Sequence, residues 1–439
     1  MSATPRRAAR QRRRLTATEV DLAVVRQRAL LVGTTVGTGD LETTEASSAE
    51  LARLADTAGA DPAHTELQRR TAPDPATYVG SGKVAELRQM SDALDIDVVI
   101  FDDELTPAQQ RNLEQQLGRD VVDRVALILD IFAQHATSRA GMIQVELAQL
   151  RYHLPRLRGR GHQLSQQAAG IGTRGPGETK LEVDRRRIQR RITQLERDLD
   201  RVAGARATQR KARGRGARSA IALVGYTNAG KSTLLNRLSH ADVVVEDRLF
   251  STLDPTVRQV RLPGGETVLM SDTVGFIRRL PHQVVEAFRS TLEEVAAADY
   301  CVHVVDATNA DDAQCQIEAV RTVLAEIGAD NVPELLVANQ ADRADPDELR
   351  GVLAANPGAI AVSAVTGEGV PELLETLARR LRALAEIIEL AIPYDRGDVL
   401  AALHREGEVL VEVHEDRGMR VRARLPAEVV SRYRDLLAG

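Results

Sequence analysis

The chain has 439 residues, 43% hydrophobic and 28% charged, with a formal net charge of −5. That length bounds it at about two to four domains with a sizeable core, and the balance excludes wholesale disorder. There is no run of about 18 apolar residues to span a membrane as a helix. Two cysteines, Cys301 and Cys315, are too few for a disulfide scaffold or a four-cysteine zinc site and fit a reducing cytosol. Trp is absent and aromatics are 3%, which argues against base-stacking sheets as the main device.

Residues 1–24 are Arg-rich (Arg6, Arg7, Arg10, Arg12, Arg13, Arg14) with no apolar stretch behind them, so they read as a disordered basic tail and not a secretory signal. Residues 25–136 alternate strand and helix signals, which predicts a small α/β domain. Ala29–Thr34 is an apolar run. Ser47–Ala58 has helical spacing with Ser47 and Ser48 as caps. Lys83–Leu94 reads as a helix, Asp97–Phe101 as a buried strand, and Thr106 as the N-cap of a helix through Leu117. Val121–Phe132 reads as another strand.

Residues 137–204 change period. Ile143, Leu147, Leu150, Leu154 and Leu157 form one heptad stripe; Leu181, Ile188, Ile192, Leu195, Leu199 and Val202 form a second. Two such helices joined by about 20 residues predict an antiparallel coiled-coil hairpin. Its tip, Gly159–Glu178, is glycine-rich and lacks core-forming residues, so it reads as a mobile loop. Arg158, Arg160, His162 and Arg174 lie in or beside it. Residues 151–220 carry 19 Lys and Arg against 6 Asp and Glu, a basic segment in an acidic chain. Charge alone divides evenly between a nucleic-acid contact and a solvated linker. Arg158, Arg160, Arg174, Arg185, Arg186 and Arg187 are the candidate RNA contacts. Residues 205–218 read as a basic linker.

Residues 219–384 carry the chemistry. The strand Ala220–Gly225 runs into Gly225, Tyr226, Thr227, Asn228, Ala229, Gly230, Lys231, Ser232 and Thr233, a G-x-x-x-x-G-K-S loop opening a helix. Its backbone amides and helix N-terminus suit phosphates. Lys231 suits the β- and γ-phosphates, and the Ser232 hydroxyl suits Mg2+. Phe250, Ser251, Thr252, Leu253 and Asp254 precede Thr256; Thr252 would close over the γ-phosphate and ligate Mg2+. Asp272, Thr273, Val274 and Gly275 follow the strand Thr267–Met270. Asp272 would reach the metal through water, and the Gly275 amide would reach the γ-phosphate. Asn339, Gln340, Ala341 and Asp342 follow Glu334–Val337; Val362, Ser363 and Ala364 end the strand beginning at Ala359. Asp342 would accept from guanine N1–H and the exocyclic amine, and the Ala364 amide would donate to O6, which adenine cannot satisfy. Five motifs in this order predict a guanine-nucleotide-binding P-loop domain, with Lys231, Thr252 and Gly275 as its catalytic groups.

Two positions depart from the usual pattern. Gln340 stands where the fourth motif carries Lys, which predicts retained guanine selectivity and reduced affinity. Phe276 follows Gly275 where a water-orienting Gln is usual, which predicts slow intrinsic hydrolysis. Asn228 resembles the Asn of GTPases that hold K+ beside the phosphates, making K+ a second candidate cation with Mg2+.

Tyr78–Lys83, Phe101–Leu105, Leu127–Ala133, Gln144–Gln149, Gly170–Lys180 (GIGTRGPGETK) and Phe250–Thr256 resemble the HflX family of translation-associated GTPases, over nearly the whole chain after residue 25. The resemblance implies an N-terminal α/β domain, a helical hairpin, the P-loop GTPase domain and a small C-terminal α+β domain. It also implies GTP hydrolysis in the cytoplasm on the large ribosomal subunit, near the peptidyl-transferase region, with splitting or recycling of idle or stalled ribosomes and a role in biogenesis or stress. Gly80–Lys83 lacks the P-loop spacing and reads as a structural turn, not a second nucleotide loop.

Residues 385–439 read as strand Ile387–Ile392, helix Asp398–Arg405, strands Val409–Val413 and Met419–Ala423, and helix Pro426–Leu437: a small α+β unit without evident chemistry. The expected protein is a monomeric GTPase, slow alone and stimulated by the ribosome. A GTP-gated adaptor regulating a protease or membrane complex is the alternative, and a nucleotide binder with negligible turnover the third reading.

Overall fold

The computed structural model describes residues 26–37, 39–157, 180–214, 219–240, 249–250, 256–279, 292, 294–416, 418–426 and 430–436. The basic tail 1–24, the tip loop and Ser251–Asp254 lie outside the described residues.

The N-terminal unit is a four-stranded parallel sheet, order β2-β1-β3-β4, made of β1 (Gln27–Val36), β2 (Ala60–Arg70), β3 (Val98–Phe101) and β4 (Asp120–Asp123). Its crossovers are α1 (Leu41–Thr57), α2 (Ser81–Ala93) and α3 (Pro107–Leu117). Leu30, Val32, Val99 and Phe101 on one face and Leu31, Val98 and Ile100 on the other are buried, the pattern of a sheet covered on both sides. Thr106 caps α3 in a full capping box: its Oγ1 accepts from the Gln109 amide at 3.2 Å, and Gln109 Oε1 accepts from the Thr106 amide at 3.0 Å.

Two sequence expectations are corrected by the N-terminal unit, and one strand in it was not foreseen. Of the strand expected over Val121–Phe132 only Val121–Asp123 is extended, within β4; Arg124–His135 is helix α4. Asp123 starts it by accepting from the Ala126 amide at 2.9 Å, and burial on several sides erased the polar face that reveals a helix. Ser47 and Ser48 are not caps but buried positions within α1, which starts after Asp40. Strand β2 carried no clear strand signal, because it is a charged edge strand with a proline at Pro62.

Helix α5 (Arg139–Arg156) is rooted on the sheet. The Tyr152 hydroxyl donates to Asp123 Oδ1 at 2.8 Å, and Arg156 donates to Asp123 Oδ2 at 3.2 Å and to the Leu105 carbonyl at 2.7 Å. Helix α6 (Lys180–Gly214) packs on α5 through Ile143 and Leu147 against Ile192 and Leu195, flanked by Leu150, Leu154, Ile188 and Leu199. These are residues of the two heptad stripes. The helix takes in residues 205–214, where the sequence suggested a linker.

The central unit is a six-stranded sheet, order β10-β9-β8-β5-β7-β6: β5 (Ala220–Gly225), β6 (Val257–Arg261), β7 (Thr267–Asp272), β8 (Tyr300–Asp306), β9 (Glu334–Asn339) and β10 (Ile360–Ala361). All neighbours are parallel except β6 on β7. The carboxyl ends of β5, β7, β9 and β10 therefore share one edge, where ligands of open α/β sheets bind. Among the described residues, its helices include α7 (Lys231–Ser239), α8 (Ala310–Glu326), α9 (Pro346–Ala355) and α10 (Val370–Leu384).

The last unit is an antiparallel sheet of β11 (Ala385–Pro393), β13 (Gly418–Pro426) and β12 (Glu408–Glu415), with helix α11 (Gly397–Glu406). Leu390, Ile392, Leu403, Val421, Ala423 and Leu425 form its core. The helix expected over Pro426–Leu437 is, among the described residues, a 3-10 segment at Ser431–Leu436.

Candidate nucleotide site

Strand β5 ends in a loop that only glycine permits at two points. Gly225 has φ 146°, and a Cβ there would lie 2.0 Å from the Val304 carbonyl oxygen; Gly230 has φ 89°, and its Cβ would lie 2.3 Å from Asn339 Nδ2. Between them Asn228 sits at φ 63° with its side chain exposed. Lys231 opens α7 and is buried, its Nζ donating to the carbonyls of Gly225 at 3.0 Å and Tyr226 at 2.8 Å. Burial pushes its ammonium down to about 8, with Asp272 pulling the other way.

Strand β7 delivers Asp272 beside the loop. The Ser232 hydroxyl donates to Asp272 Oδ2 at 2.5 Å. Thr273 turns inward, its hydroxyl donating to the Leu223 carbonyl at 2.7 Å, and Val274 is buried. Gly275 lies against Thr227: a Cβ would meet Thr227 Cγ2 at 2.6 Å and its Cα at 2.8 Å. The backbone of Phe276 pairs with the loop, donating to the Gly225 carbonyl at 3.1 Å and accepting from the Thr227 amide at 2.7 Å. The Phe276 ring belongs to the core.

Asn339 joins three loops. Its Nδ2 donates to the Ala229 carbonyl at 2.8 Å, and its Oδ1 accepts from the Ala364 amide at 3.0 Å. The Ala364 amide, the expected donor to guanine O6, is thus bonded to Asn339 here. Gln340 Nε2 donates to the Asn228 carbonyl at 3.3 Å and to Asp306 Oδ2 at 2.9 Å. The tie to the phosphate loop that a lysine would make is therefore present without its charge. The Ala341 amide donates to the Val362 carbonyl at 3.1 Å, the Ser363 hydroxyl accepts from the Thr366 amide at 3.0 Å, and Asp342 is exposed. Arg237 fixes the last loop by donating to the Ala364 carbonyl at 3.1 Å.

The sheet edge thus gathers the phosphate loop, Asp272–Gly275, Asn339–Asp342 and Val362–Ala364. Ser251, Thr252, Leu253 and Asp254 lie outside the described residues; Phe250 before them packs its ring on Phe132, centroids 4.6 Å apart at 74°. Of the candidate RNA contacts, Arg185, Arg186 and Arg187 are exposed on α6, while Arg158, Arg160 and Arg174 lie outside the described residues. The structural turn expected at Gly80–Lys83 is instead the N-cap and first residues of α2, and Lys83 pairs with Glu66 at 2.6 Å and Glu86 at 3.1 Å. Asp306, Arg237, Glu50, Arg124 and Arg278 were missed by the sequence reading; no local pattern marks them, since their partners are distant in the chain.

A phosphate loop on the middle strand, with the aspartate of the adjacent strand on its serine and a guanine-type loop at the same edge, defines a P-loop GTPase. Residues 45–133 match the family described as GTP-binding GTPase N-terminal, 135–213 GTP-binding GTPase Middle Region, 220–340 50S ribosome-binding GTPase, and 351–432 HflX C-terminal domain. The GTPase HflX of Caldanaerobacter subterraneus subsp. tengcongensis is 45% identical over 417 residues, 95% of each chain. That of Lacrimispora saccharolytica is 44% identical over 417 residues, covering 95% of this chain and 97% of the relative. That of Escherichia coli is 43% identical over 387 residues, covering 86% and 89%. The chain belongs to the HflX family of GTPases.

Proposed function

We propose that this GTPase binds the large ribosomal subunit and, in its GTP state, splits or recycles idle or stalled ribosomes. The observation that carries the reading is the exposed Arg185-Arg186-Arg187 run on a helical pair rooted in the N-terminal sheet. Consecutive exposed guanidiniums suit a phosphate backbone, and binding through them is salt-dependent. The match of residues 220–340 to a 50S ribosome-binding GTPase supports the same partner. Arg158, Arg160 and Arg174 would extend the contact, and the site of action would be the cytoplasm, with the protein as a monomer. Among the described residues no helix is long and apolar enough to cross a membrane.

Within the site, Lys231 would hold the β- and γ-phosphates, Gly275 would place its amide on the γ-phosphate, and Asp342 would read guanine. The convergence of the Ser232 hydroxyl and an Asp272 carboxylate oxygen is a hard-oxygen donor set that fits Mg2+. Ser232 and Thr252 would hold the ion directly and Asp272 through water; when bound it neutralises charge on the phosphates. Asn228 is the candidate K+ ligand.

Density-gradient sedimentation of ribosomes with the protein and GTP tests the reading. Conversion of whole ribosomes into subunits supports it. An unchanged profile, with no co-migration with large subunits in a non-hydrolysable GTP analogue, overturns it and favours the adaptor of a protease or membrane complex.

A further inference from the structure

A buried charged cluster from the N-terminal unit meets the nucleotide site from behind. Arg124 and Glu50 are 2% and 1% exposed. Arg124 Nη2 donates to Glu50 Oε1 at 3.1 Å and its Nη1 to Asp102 Oδ1 at 2.6 Å; the Ser47 hydroxyl donates to Asp102 Oδ2 at 2.6 Å. Outward bonds of the cluster reach two segments of the GTPase unit. The Tyr226 hydroxyl donates to Glu50 Oε2 at 2.7 Å, and Arg124 Nη2 donates to the Arg278 carbonyl at 2.8 Å. The Arg278 amide in turn donates to the Tyr226 hydroxyl. Alongside, Arg279 pairs with Asp103 at 3.3 Å.

Both segments belong to the reaction. Tyr226 lies in the phosphate loop, and its carbonyl accepts from Lys231. Arg278 follows Gly275 by three residues, with Phe276 between them already paired to Gly225 and Thr227. Adhesion alone would not call for this cluster. Desolvating one guanidinium and two carboxylates is costly, and apolar residues of similar volume often stabilise as well. An apolar contact is also available next to it, Phe132 on Phe250. A buried hydrogen-bonded network, here satisfied at both Arg124 Nη atoms and both Glu50 oxygens but not at Arg124 Nε, differs from an apolar contact in admitting few geometries.

We propose that Glu50 and Arg124 are positioning residues for GTP hydrolysis, acting through the Tyr226 hydroxyl and the Arg278 backbone to hold the Gly275 loop in register with the phosphate loop. Neither touches nucleotide. Removing the link lets the Gly275 amide drift from its working position, while the GDP-binding parts of the loop remain.

The test uses the full chain with Tyr226→Phe, which deletes one oxygen, and with Glu50→Ala and Glu50→Gln. Single-turnover GTP hydrolysis and GDP affinity are measured on each. Tyr226→Phe and Glu50→Ala should each lower the hydrolysis rate about tenfold, with the GDP Kd changed by less than about threefold. Glu50→Gln, which keeps the side chain's volume but only one of the two acceptor oxygens used by Arg124 and Tyr226, should fall between Glu50→Ala and the native rate. A native rate in Tyr226→Phe overturns the proposal. So does a rate loss matched by an equal loss of GDP affinity, because the cluster would then merely support the pocket.

Discussion

The side-chain amide of Gln340 reaches the carbonyl of Asn228 at 3.3 Å, so the guanine loop is tied to the phosphate loop by a neutral donor. The same Nε2 is anchored by Asp306 Oδ2 at 2.9 Å, and Gln340 Oε1 accepts from Arg343 at 3.1 Å. The sequence suggested weakened binding from the missing lysine; the geometry shows the tie retained. Gln340→Ala should weaken GDP binding about tenfold, the loss of one to two hydrogen bonds. Fluorescent-nucleotide titration checks this, and native affinity in the variant would contradict it.

Lys231 makes nucleotide binding pH-dependent. Burial lowers it from 10.5 to about 8, so in the folded, nucleotide-free protein it is neutral above that pH while the unfolded chain stays protonated. The folded state binds fewer protons in that window, so the contribution of this group to stability rises with pH between about 8 and 10.5. Phosphates favour the ammonium, so GDP binding takes up a proton there and affinity falls as pH rises. Calorimetry at about pH 8.5 in two buffers of different ionisation enthalpy should show proton uptake. Identical enthalpies would contradict it.

Gly275→Ala should separate the γ-phosphate response from simple binding. Its methyl group would lie 2.6 Å from Thr227 Cγ2 and push the loop away. Turnover should fall about a hundredfold, the scale of losing one preorganised donor. GDP, having no γ-phosphate, should bind nearly as before. Parallel loss of GDP binding would refute that assignment.

Replacing Phe276 by the glutamine common at its position should not create a faster enzyme. The ring is 2% exposed and sits in the core, so Phe276→Gln would bury an amide there. A stability loss of about 2 to 3 kcal/mol is expected, with no gain in turnover. A faster, fully stable variant would show that this side chain can swing to the phosphates.

Neutralising Arg185, Arg186 and Arg187 together should reduce the salt slope of large-subunit binding by roughly two to three. GTP hydrolysis without ribosomes should stay native, since these side chains are exposed on α6, outside the nucleotide site.

The parts legible in the sequence were those with local causes. The phosphate loop needs glycines at Gly225 and Gly230, and Thr106 needs only Gln109 three residues on. The heptad stripes carried the α5–α6 seam because its partners repeat at helical period. Helix α4 was misread because burial of Val125, Leu127, Ile128, Leu129, Ile131 and Phe132 hides periodicity. The Glu50–Tyr226 contact spans 176 residues of chain, and no window of sequence contains both ends. Glutamate and arginine there look like ordinary surface charges until the fold buries them.

GTP hydrolysis by the purified chain, alone and with large ribosomal subunits, at low and moderate salt, tests the central claim most directly. The account predicts slow turnover alone and strong stimulation by the subunit that fades as salt rises. Turnover unchanged by the subunit at either salt, with GTP still bound, would contradict it.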